Sequence, residues 1–456
     1  MGTTPAAGRL DELQARVAAG AVRTDADIVA SYAGDSTDLI IPGTPLAVVS
    51  ARTVADVQEV MRWATSNVQP VVPRGAGTGI SGGAAAGDGA LVLDLTHMDR
   101  ITEVSSDDRL AVTEPGVINA AISVAARPFN LMYAPDPSSW ETSTIGGNIA
   151  TNAGGLRCVR YGATRAAVLG LDVVLADGRL LRTGGRTAKR SAGYDLTQLF
   201  VGSEGTLGVV VGATLRLVSM PPPLATALLT FPETTQAGAA AAALVARGPS
   251  PTLLELIDHG HVRAIDAYRG TGFGESVHAL LVMQVEDRDG ATGDVERLAR
   301  EYGATEVAVT TDADESRELL DIRRAAYPAM QAVGRTLVED VCVPCSMLAT
   351  LIERVESIAA QTGVQVACVA HAGDGNAHPV LVVPDGPDGT ERLWDCADQI
   401  FRAALSLGGT VSGEHGIGRL KRRWLGEDVG ETSLSVQRAI KAALDPLGLL
   451  NPGALL

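Results

Sequence analysis

The chain has 456 residues, 46% of them hydrophobic, which is enough for two or three domains with separate cores. Its formal net charge of −16 argues against nucleic acid as a ligand, because phosphate binding needs clustered Lys and Arg. An acidic surface of this kind mainly favours solubility.

The N-terminal residues, MGTTPAAGRLDELQ, lack the basic and apolar runs of a secretory signal. The longest membrane-like run, at 237–246, has half of the roughly 20 residues that a spanning helix needs. We therefore predict a soluble, cytoplasmic protein without a membrane span.

The five cysteines are an odd and sparse set, which favours reduced thiols. Cys342 and Cys345 form one C-x-x-C next to a predicted strand, LVEDVCVP, and we interpret them as structural thiols, with a redox or metal role as the alternative.

A polar helix is predicted at about 9–20, and from about residue 45 short β-branched runs alternate with helical stretches, which indicates an α+β fold. Strands joined by glycine-rich loops are predicted over 90–217. The prolines of MPPP at 220–223 predict a domain boundary. Beyond them the order strand, helix, strand occurs twice, which predicts a domain with an antiparallel sheet. We expect domains at 1–219 and 220–425, with 426–456 returning to the first.

Residues 73–83, PRGAGTGISGG, contain five glycines from Gly75 onward. Such a loop lets the backbone approach a ligand and present N–H groups to a pyrophosphate, although a flexible surface loop is the alternative. Gly77, Gly79 and Gly82 satisfy G-x-G-x-x-G, but the sequence continues into a strand instead of a helix. We therefore reject a nicotinamide site. Two more loops, 135–155 and 200–210, add glycine, hydroxyl and amide groups suited to a flat ring and a diphosphate.

Two further motifs carry ligating side chains. His371 and His378 flank a glycine-rich turn in HAGDGNAHP, and Glu414 and His415 are adjacent in GEHGIG. Imidazole and carboxylate groups suit zinc, or manganese when oxygen donors are added, and three protein ligands leave one position for a substrate. The alternative is that the two histidines have only a structural role and bind no metal. His259 and His261 have similar spacing but no supporting motif, and we interpret them as surface residues.

Together, in this order, PRGAGTGISGG, TIGGNIATNAGG, GSEGTLG, HAGDGNAHP and GEHGIG resemble the FAD-linked 2-hydroxy acid dehydrogenases and oxidases of the vanillyl-alcohol oxidase superfamily. The resemblance covers about residue 40 to the end. It implies an α+β fold, with an FAD-binding domain of two subdomains and an antiparallel-sheet substrate (cap) domain. Some members of the superfamily attach the flavin covalently, through a His in the first loop or a Cys in the second. Neither loop has one, so we predict non-covalent FAD.

The resemblance implies these FAD contacts: Pro73, Arg74, Gly75, Ala76, Gly77, Thr78, Gly79, Ser81, Gly82, Pro135, Asp136, Thr142, Ser143, Ile145, Gly146, Gly147, Asn148, Ala150, Thr151, Asn152, Gly155, Glu204, Gly205, Gly208, Val209 and Asn451. It also implies His371, His378 and Glu414 as ligands of Zn or Mn and His415 as the catalytic base. His378 is expected to contact substrate as well. The family pattern places a carboxylate-binding arginine at Arg323, with Arg324 or an exposed helix charge as the alternatives.

Relatives that act on D-2-hydroxyglutarate have polar residues where this chain has Val338 and Val380, which favours glycolate or D-lactate as substrate. The alternatives are a larger 2-hydroxy acid, another alcohol or a lipid ether, and a flavin-bearing subunit without catalysis. The electron acceptor stays open, with an iron–sulfur or a quinone-linked partner as candidates. The oligomeric state is also open, a homodimer included.

Overall fold

A computed structural model describes residues 6–37 and 39–456. The α-helices are α1 Ala6–Gln14, α2 Ala26–Ser31, α3 Val54–Asn67, α4 Asn119–Ala126, α5 Ile145–Thr151, α6 Cys158–Tyr161, α7 Thr164–Ala167, α8 Leu196–Phe200, α9 Thr234–Arg247, α10 His259–Arg269, α11 Ala291–Glu301, α12 Ala313–Arg324, α13 Ala326–Val333, α14 Leu348–Thr362, α15 Gly389–Ser406, α16 Leu425–Val429 and α17 Glu431–Leu444. Short 3-10 helices span Arg127–Phe129, Cys345–Met347 and Arg422–Trp424.

The strands are β1 Val22–Arg23, β2 Ala47–Ser50, β3 Val71–Arg74, β4 Leu91–Asp94, β5 Ile101–Ser105, β6 Leu110–Thr113, β7 Leu131–Met132, β8 Val168–Val174, β9 Leu180–Gly184, β10 Val209–Arg216, β11 Val218–Ser219, β12 Leu224–Phe231, β13 Leu253–Ile257, β14 Ala279–Glu286, β15 Glu306–Thr310, β16 Thr336–Val338, β17 Val341–Cys342, β18 Val366–His371 and β19 Asn376–Val382. None of the helices within the described ranges combines the length and the apolar character that crossing a membrane requires.

The chain forms two compact units. Of the described residues, the first contains 6–37, 39–154, 163–220 and 414–456, and the second contains 155–162 and 221–413. The change at 220/221 lies one residue from the expected boundary. The chain returns to the first unit at Glu414, which is earlier than the expected 426, and the short segment 155–162 belongs to the second unit.

The first unit contains two main sheets. Strands β2, β4 and β3 are parallel and β1 joins them antiparallel, in the order β1-β2-β4-β3. The second sheet is antiparallel, in the order β5-β6-β10-β8-β9. Helix α3 contacts β8 and β10 of the second sheet, and its start is fixed by a capping box between Thr53 and Asp56. Its buried Val57, Val60 and Met61 pack into a core shared with β2 and β4.

The C-terminal segment completes the first unit. Leu450 forms a parallel bridge with Val71 at the edge of β3, so the segment adds to that sheet. The Asn451 side chain donates hydrogen bonds to the carbonyls of Gly83 and Glu204, at 2.7 and 2.8 Å. The C-terminal segment therefore holds two of the glycine-rich loops in place, although both loops lie more than 200 residues earlier in the chain.

The second unit is built on one antiparallel sheet in the order β15-β12-β14-β13-β18-β19-β16, with β17 also paired to β19. The elements from β12 to β15 give the two strand-helix-strand repeats expected from the sequence, and this prediction is confirmed. Alternate residues of β13 and β18, including Leu253, Ile257 and Val369, pack with residues of α10 and α13. This face of the sheet carries the side chains described below.

Two smaller predictions can be compared with the structure. Cys342 lies in β17 as expected, and the five cysteines form no disulfide in the part of the chain that the structure describes. The prediction that His261 is a surface residue is wrong, because its side chain is fully buried. Asp258 explains the burial: its carboxylate caps α10 and lies 3.2 Å from His261 Nδ1.

Candidate functional site

The first unit contains a cavity bordered by its three glycine-rich loops. The cavity has about 1400 Å³ of empty space, including its solvent-filled mouth. No helix lies between β3 and β4, so the loop 75–90 passes from strand to strand, as predicted when the nicotinamide site was rejected. The backbone of this loop therefore lines the cavity.

Glycine is required in the first loop for two different reasons. A Cβ at Gly75 would overlap the hydroxyl of Thr144, which precedes α5 in the second loop. Gly77 has a φ of 73°, in the left-handed region, and a Cβ there would overlap the Arg74 guanidinium. The two loops can thus approach each other only where side chains are absent, and the backbone N–H groups stay accessible to an anion.

Arg74 supplies the cationic side chain of this cavity. Its Nη1 donates a hydrogen bond to the Gly34 carbonyl, and its guanidinium lies 5.5 Å from the centre of the Tyr32 ring. Burial lowers the pKa of Arg74, while burial raises the pKa of Asp35, which also lines the cavity. A partly buried, well-held guanidinium beside backbone amides suits a diphosphate.

Glu204 connects the third loop with the C-terminal segment. Its two carboxylate oxygens accept hydrogen bonds from the amides of Ile417 and Gly418, each at 2.8 Å. The side chain is buried, and burial raises its pKa to about 7. Glu204 adopts a φ of 51°, which is rare for a residue with a side chain. This strained conformation is maintained because the carboxylate closes a turn that would otherwise leave two buried amides without acceptors.

That turn carries Glu414 and His415, both of which line the same cavity. The His415 carbonyl accepts a hydrogen bond from Ser81 Oγ at 3.0 Å, so the first loop also holds this residue. The His415 ring nitrogen Nε2 lies 3.7 Å from Glu414 Oε1. The Glu414 side chain packs against Gly154, where a Cβ would overlap it. The candidate base is thus held by its main chain, with its ring at the cavity.

Sixteen of the residues proposed for FAD line the cavity: Pro73, Arg74, Gly75, Ala76, Gly77, Thr78, Gly79, Ser81, Gly146, Gly147, Asn148, Ala150, Thr151, Glu204, Gly205 and Gly208. The others do not line it: Gly82, Pro135, Asp136, Thr142, Ser143, Ile145, Asn152, Gly155, Val209 and Asn451. Several of these hydrogen-bond to the loops that line the cavity, as Asn451 does. Four lining residues outside the predicted loops and motifs were missed: Asp35, Ala84, Leu95 and Pro115. They come from elements whose sequences have no ligand-binding signature.

In the second unit, His371 and His378 lie next to each other at the ends of the paired strands β18 and β19. Their ring centres are 5.0 Å apart with an interplanar angle of 81°, and both side chains are almost fully buried. His378 Nδ1 lies 3.8 Å from Asp340 Oδ1, and Asp340 Oδ2 accepts a hydrogen bond from Ser412 Oγ at 2.8 Å. Two buried imidazoles in this arrangement can present nitrogen ligands to a divalent cation.

A buried carboxylate joins this pair to an arginine. Glu255 in β13 lies opposite His371 in the sheet, and its Oε1 is 2.7 Å from His371 Nδ1. Its Oε2 accepts a hydrogen bond from Arg323 Nε at 2.8 Å. Sequence reasoning missed Glu255, although a single acidic residue in the apolar strand LLELI is a signal for a buried, partnered charge.

The two candidate arginines have different environments. Arg323, near the end of α12, has a side chain that is 14% exposed and ion-paired with Glu255. The Arg324 side chain is 58% exposed and pairs with Asp321 one helical turn earlier. Only Arg323 of the two is linked to His371. The geometry therefore favours Arg323 as the residue that would face a substrate.

Comparison with known proteins identifies the family. Residues 45–184 match the FAD binding domain, and residues 220–455 match the C-terminal domain of FAD linked oxidases. The glycolate oxidase subunit GlcD of Bacillus subtilis (strain 168) is 37% identical over 420 residues, covering 90% of this chain and 89% of that protein. The chain belongs to the FAD-linked oxidases. A D-lactate dehydrogenase of Archaeoglobus fulgidus is 36% identical over 410 residues, covering 89% of this chain and 90% of its own length.

Solved structures confirm the fold class. p-Cresol methylhydroxylase superposes with a TM-score of 0.80 at 17% identity, over 99% of this chain and 97% of that one. The 4-ethylphenol oxidase from Gulosibacter chungangensis gives 0.79 at 19% identity, over the same shares of each chain. At these identities the likeness concerns the fold, which is of the vanillyl-alcohol oxidase type.

This FAD-linked oxidoreductase has a cavity whose residues fit its cofactor. The loops around Gly75 and Gly77 bring bare backbone to the cavity wall, and Arg74 supplies a cation for the diphosphate. The neutral hydroxyl and amide groups of the second loop, Thr151 and Asn148 among them, suit a heteroaromatic ring.

Proposed function

We propose that this oxidoreductase converts a small D-2-hydroxy acid, glycolate or D-lactate, to the 2-oxo acid. The observation that carries the proposal is the buried group of the second unit, in which the imidazoles of His371 and His378 pack together and Glu255 links His371 to the Arg323 guanidinium. A 2-hydroxy acid presents a hydroxyl and a carboxylate on neighbouring carbons. A cation on imidazole ligands and an arginine fork are the two groups that would bind them. The names of the two relatives given above support the same substrates.

His371 and His378 would hold a divalent metal, zinc or manganese, with Glu414 as the third ligand. The donor set suits these ions and leaves a position for the substrate hydroxyl. Gly413, the residue before Glu414, packs so closely on Asn376 that a Cβ would overlap its side chain. Asn376 lies two residues from His378 on β19, and Glu414 follows Gly413 by one peptide bond. The contact between Gly413 and Asn376 therefore holds the chain at the residue before the proposed third ligand.

The remaining steps are assigned to residues of this chain. Arg323 would bind the substrate carboxylate, and His378 would contact the substrate from the metal side. His415 would take the hydroxyl proton, whose pKa the cation lowers. Bound non-covalently, FAD supplies the acceptor for the hydride at its N5 position.

The size of the substrate follows from a pair of valines. Val338 and Val380 are directly opposite each other in β16 and β19. Val380 shares a face of β19 with His378, because side chains two residues apart in a strand point the same way. Both valines pack in an apolar cluster with Met330 of α13. A second substrate carboxylate here would lose its hydration without gaining a polar partner, which favours a monocarboxylate over D-2-hydroxyglutarate.

A substrate panel tests the proposal. D- and L-2-hydroxy acids are added anaerobically to the flavin-loaded protein, and flavin bleaching is followed, with an artificial electron acceptor for turnover. We expect bleaching by glycolate or D-lactate and little by D-2-hydroxyglutarate. Bleaching by none of the 2-hydroxy acids would remove the proposal and favour another alcohol or a non-catalytic flavin subunit.

Metal analysis tests the ligand assignment. His371→Ala and His378→Ala should each lose the bound metal and most activity while keeping FAD. The exposed His97 offers a matched control, and His97→Ala should keep the metal, the flavin and the activity. Undiminished metal content in the His371 and His378 variants would show that the site lies elsewhere.

A further inference from the structure

Glu255 contacts both His371 and Arg323 through its carboxylate. It is fully buried and lies between Leu253 and Ile257, which pack in the core on the same face of the sheet. Its two oxygens divide their contacts, Oε1 to His371 Nδ1 at 2.7 Å and Oε2 to Arg323 Nε at 2.8 Å. One carboxylate therefore fixes side chains that are proposed to bind two different ligands.

This geometry determines how the His371 ring is used. A carboxylate only accepts hydrogen bonds, so the ring must carry its proton on Nδ1 to bond to Oε1. The lone pair then resides on Nε2, the nitrogen with which His371 would bind a cation. A ring with the opposite tautomer would set a nitrogen lone pair against a carboxylate oxygen at 2.7 Å, which is repulsive.

The same carboxylate limits the motion of Arg323. Arginine side chains have many rotamers, and ordering one costs conformational entropy when a ligand binds. The bond from Nε to Glu255 fixes the guanidinium before substrate arrives, and it leaves the terminal Nη1 and Nη2 atoms as the fork assigned to the substrate. Glu255 is buried, so the guanidinium is also what compensates its charge.

We infer that Glu255 is a positioning residue that couples the metal ligand His371 to the substrate-binding Arg323. It acts by selecting the Nδ1–H tautomer of His371 and by pre-organising the Arg323 guanidinium. This inference rests on the proposed function, which names the metal and the 2-hydroxy acid as the two ligands. The tautomer of His371 does not depend on either of them.

The first test uses the metal-free wild-type protein. Nitrogen-15 NMR of the imidazole groups at pH 8, with the His371 signals identified by their loss in His371→Ala, reads the tautomer directly. We expect the proton on Nδ1. A proton on Nε2 would overturn the inference even if the metal and substrate proposals are correct.

The second test compares Glu255→Gln with Asp258→Asn in the FAD-loaded, full-length protein. Asp258 is a matched control, because it is another buried carboxylate of the same unit and, among the described residues, it holds His261 and the Cys368 amide. Loss of an outer-shell carboxylate typically lowers metal affinity by about 10–100-fold. We expect Glu255→Gln to lower manganese affinity by this factor and to raise the KM for the 2-hydroxy acid by about tenfold.

Asp258→Asn should lose stability but keep manganese affinity and KM within about twofold of wild type. Wild-type affinity and KM in Glu255→Gln would overturn the inference, and so would equal losses in both variants. If the wild-type protein binds no metal and oxidises no 2-hydroxy acid, the proposed function fails, and the NMR test still decides the role of Glu255 on its own.

Discussion

Neutralising Glu204 should change how the stability of the protein depends on pH. Its carboxylate is buried, holds the amides of Ile417 and Gly418, and has a pKa raised by burial to about 7 from an ordinary value of 4.5. Because this pKa is higher in the folded state, the folded protein keeps a proton that the unfolded chain releases between these values. Glu204 therefore contributes stability that is complete below about pH 4.5 and is lost as the pH rises through about 7.

The magnitude follows from the same two pKa values. Each pKa unit corresponds to about 1.4 kcal/mol, so the difference is worth about 3 kcal/mol. Glu204→Gln has no titrating group at this position, and its free energy of unfolding should lack this pH-dependent part. The variant also leaves one of the two amides facing an NH₂ group, which should cost about 1–3 kcal/mol at every pH.

Urea unfolding of the flavin-free protein between pH 4 and 8 measures both effects. The wild-type free energy of unfolding should fall with rising pH by about 3 kcal/mol more than that of Glu204→Gln. Glu141→Gln, at an exposed position of the same unit, serves as control and should follow the wild-type curve. Parallel curves for wild type and Glu204→Gln, or a difference of opposite sign, would refute the reasoning.

Three further predictions concern the flavin and the proposed catalytic residues. Acid precipitation should release all of the flavin into solution, because the two FAD loops contain no His or Cys, and a yellow pellet would contradict this. Arg323→Lys should raise KM by the equivalent of about 1.5–3 kcal/mol in steady-state assays, since Lys lacks the planar fork, and wild-type kinetics would exclude Arg323. His415→Asn should keep metal and FAD but slow flavin reduction by about two to four orders of magnitude in stopped-flow measurements. Reduction at the wild-type rate would assign the base elsewhere.

The local features of this protein could be predicted from its sequence. The glycines of the first loop, the MPPP boundary at 220–223 and the two strand-helix-strand repeats each depend on residues close together in the chain. Glycine is needed where φ is positive, as at Gly77, and consecutive prolines end regular structure, so these positions carry their own signal. The order of the five motifs was enough to predict the family, which the comparisons confirm.

The tertiary structure alone decided which side chains support these motifs. Glu255 meets Arg323 across 68 residues and His371 across 116, while Glu204 meets Ile417 across 213. A buried acidic residue in an apolar strand indicates that a polar or charged side chain pairs with it. The sequence alone does not show which residue that is. Strand pairing sets that choice, because the register of β13 against β18 places Glu255 opposite His371. The orientation of His371 and Arg323, which are proposed to bind the metal and the substrate, is therefore set by long-range packing and not by a local sequence pattern.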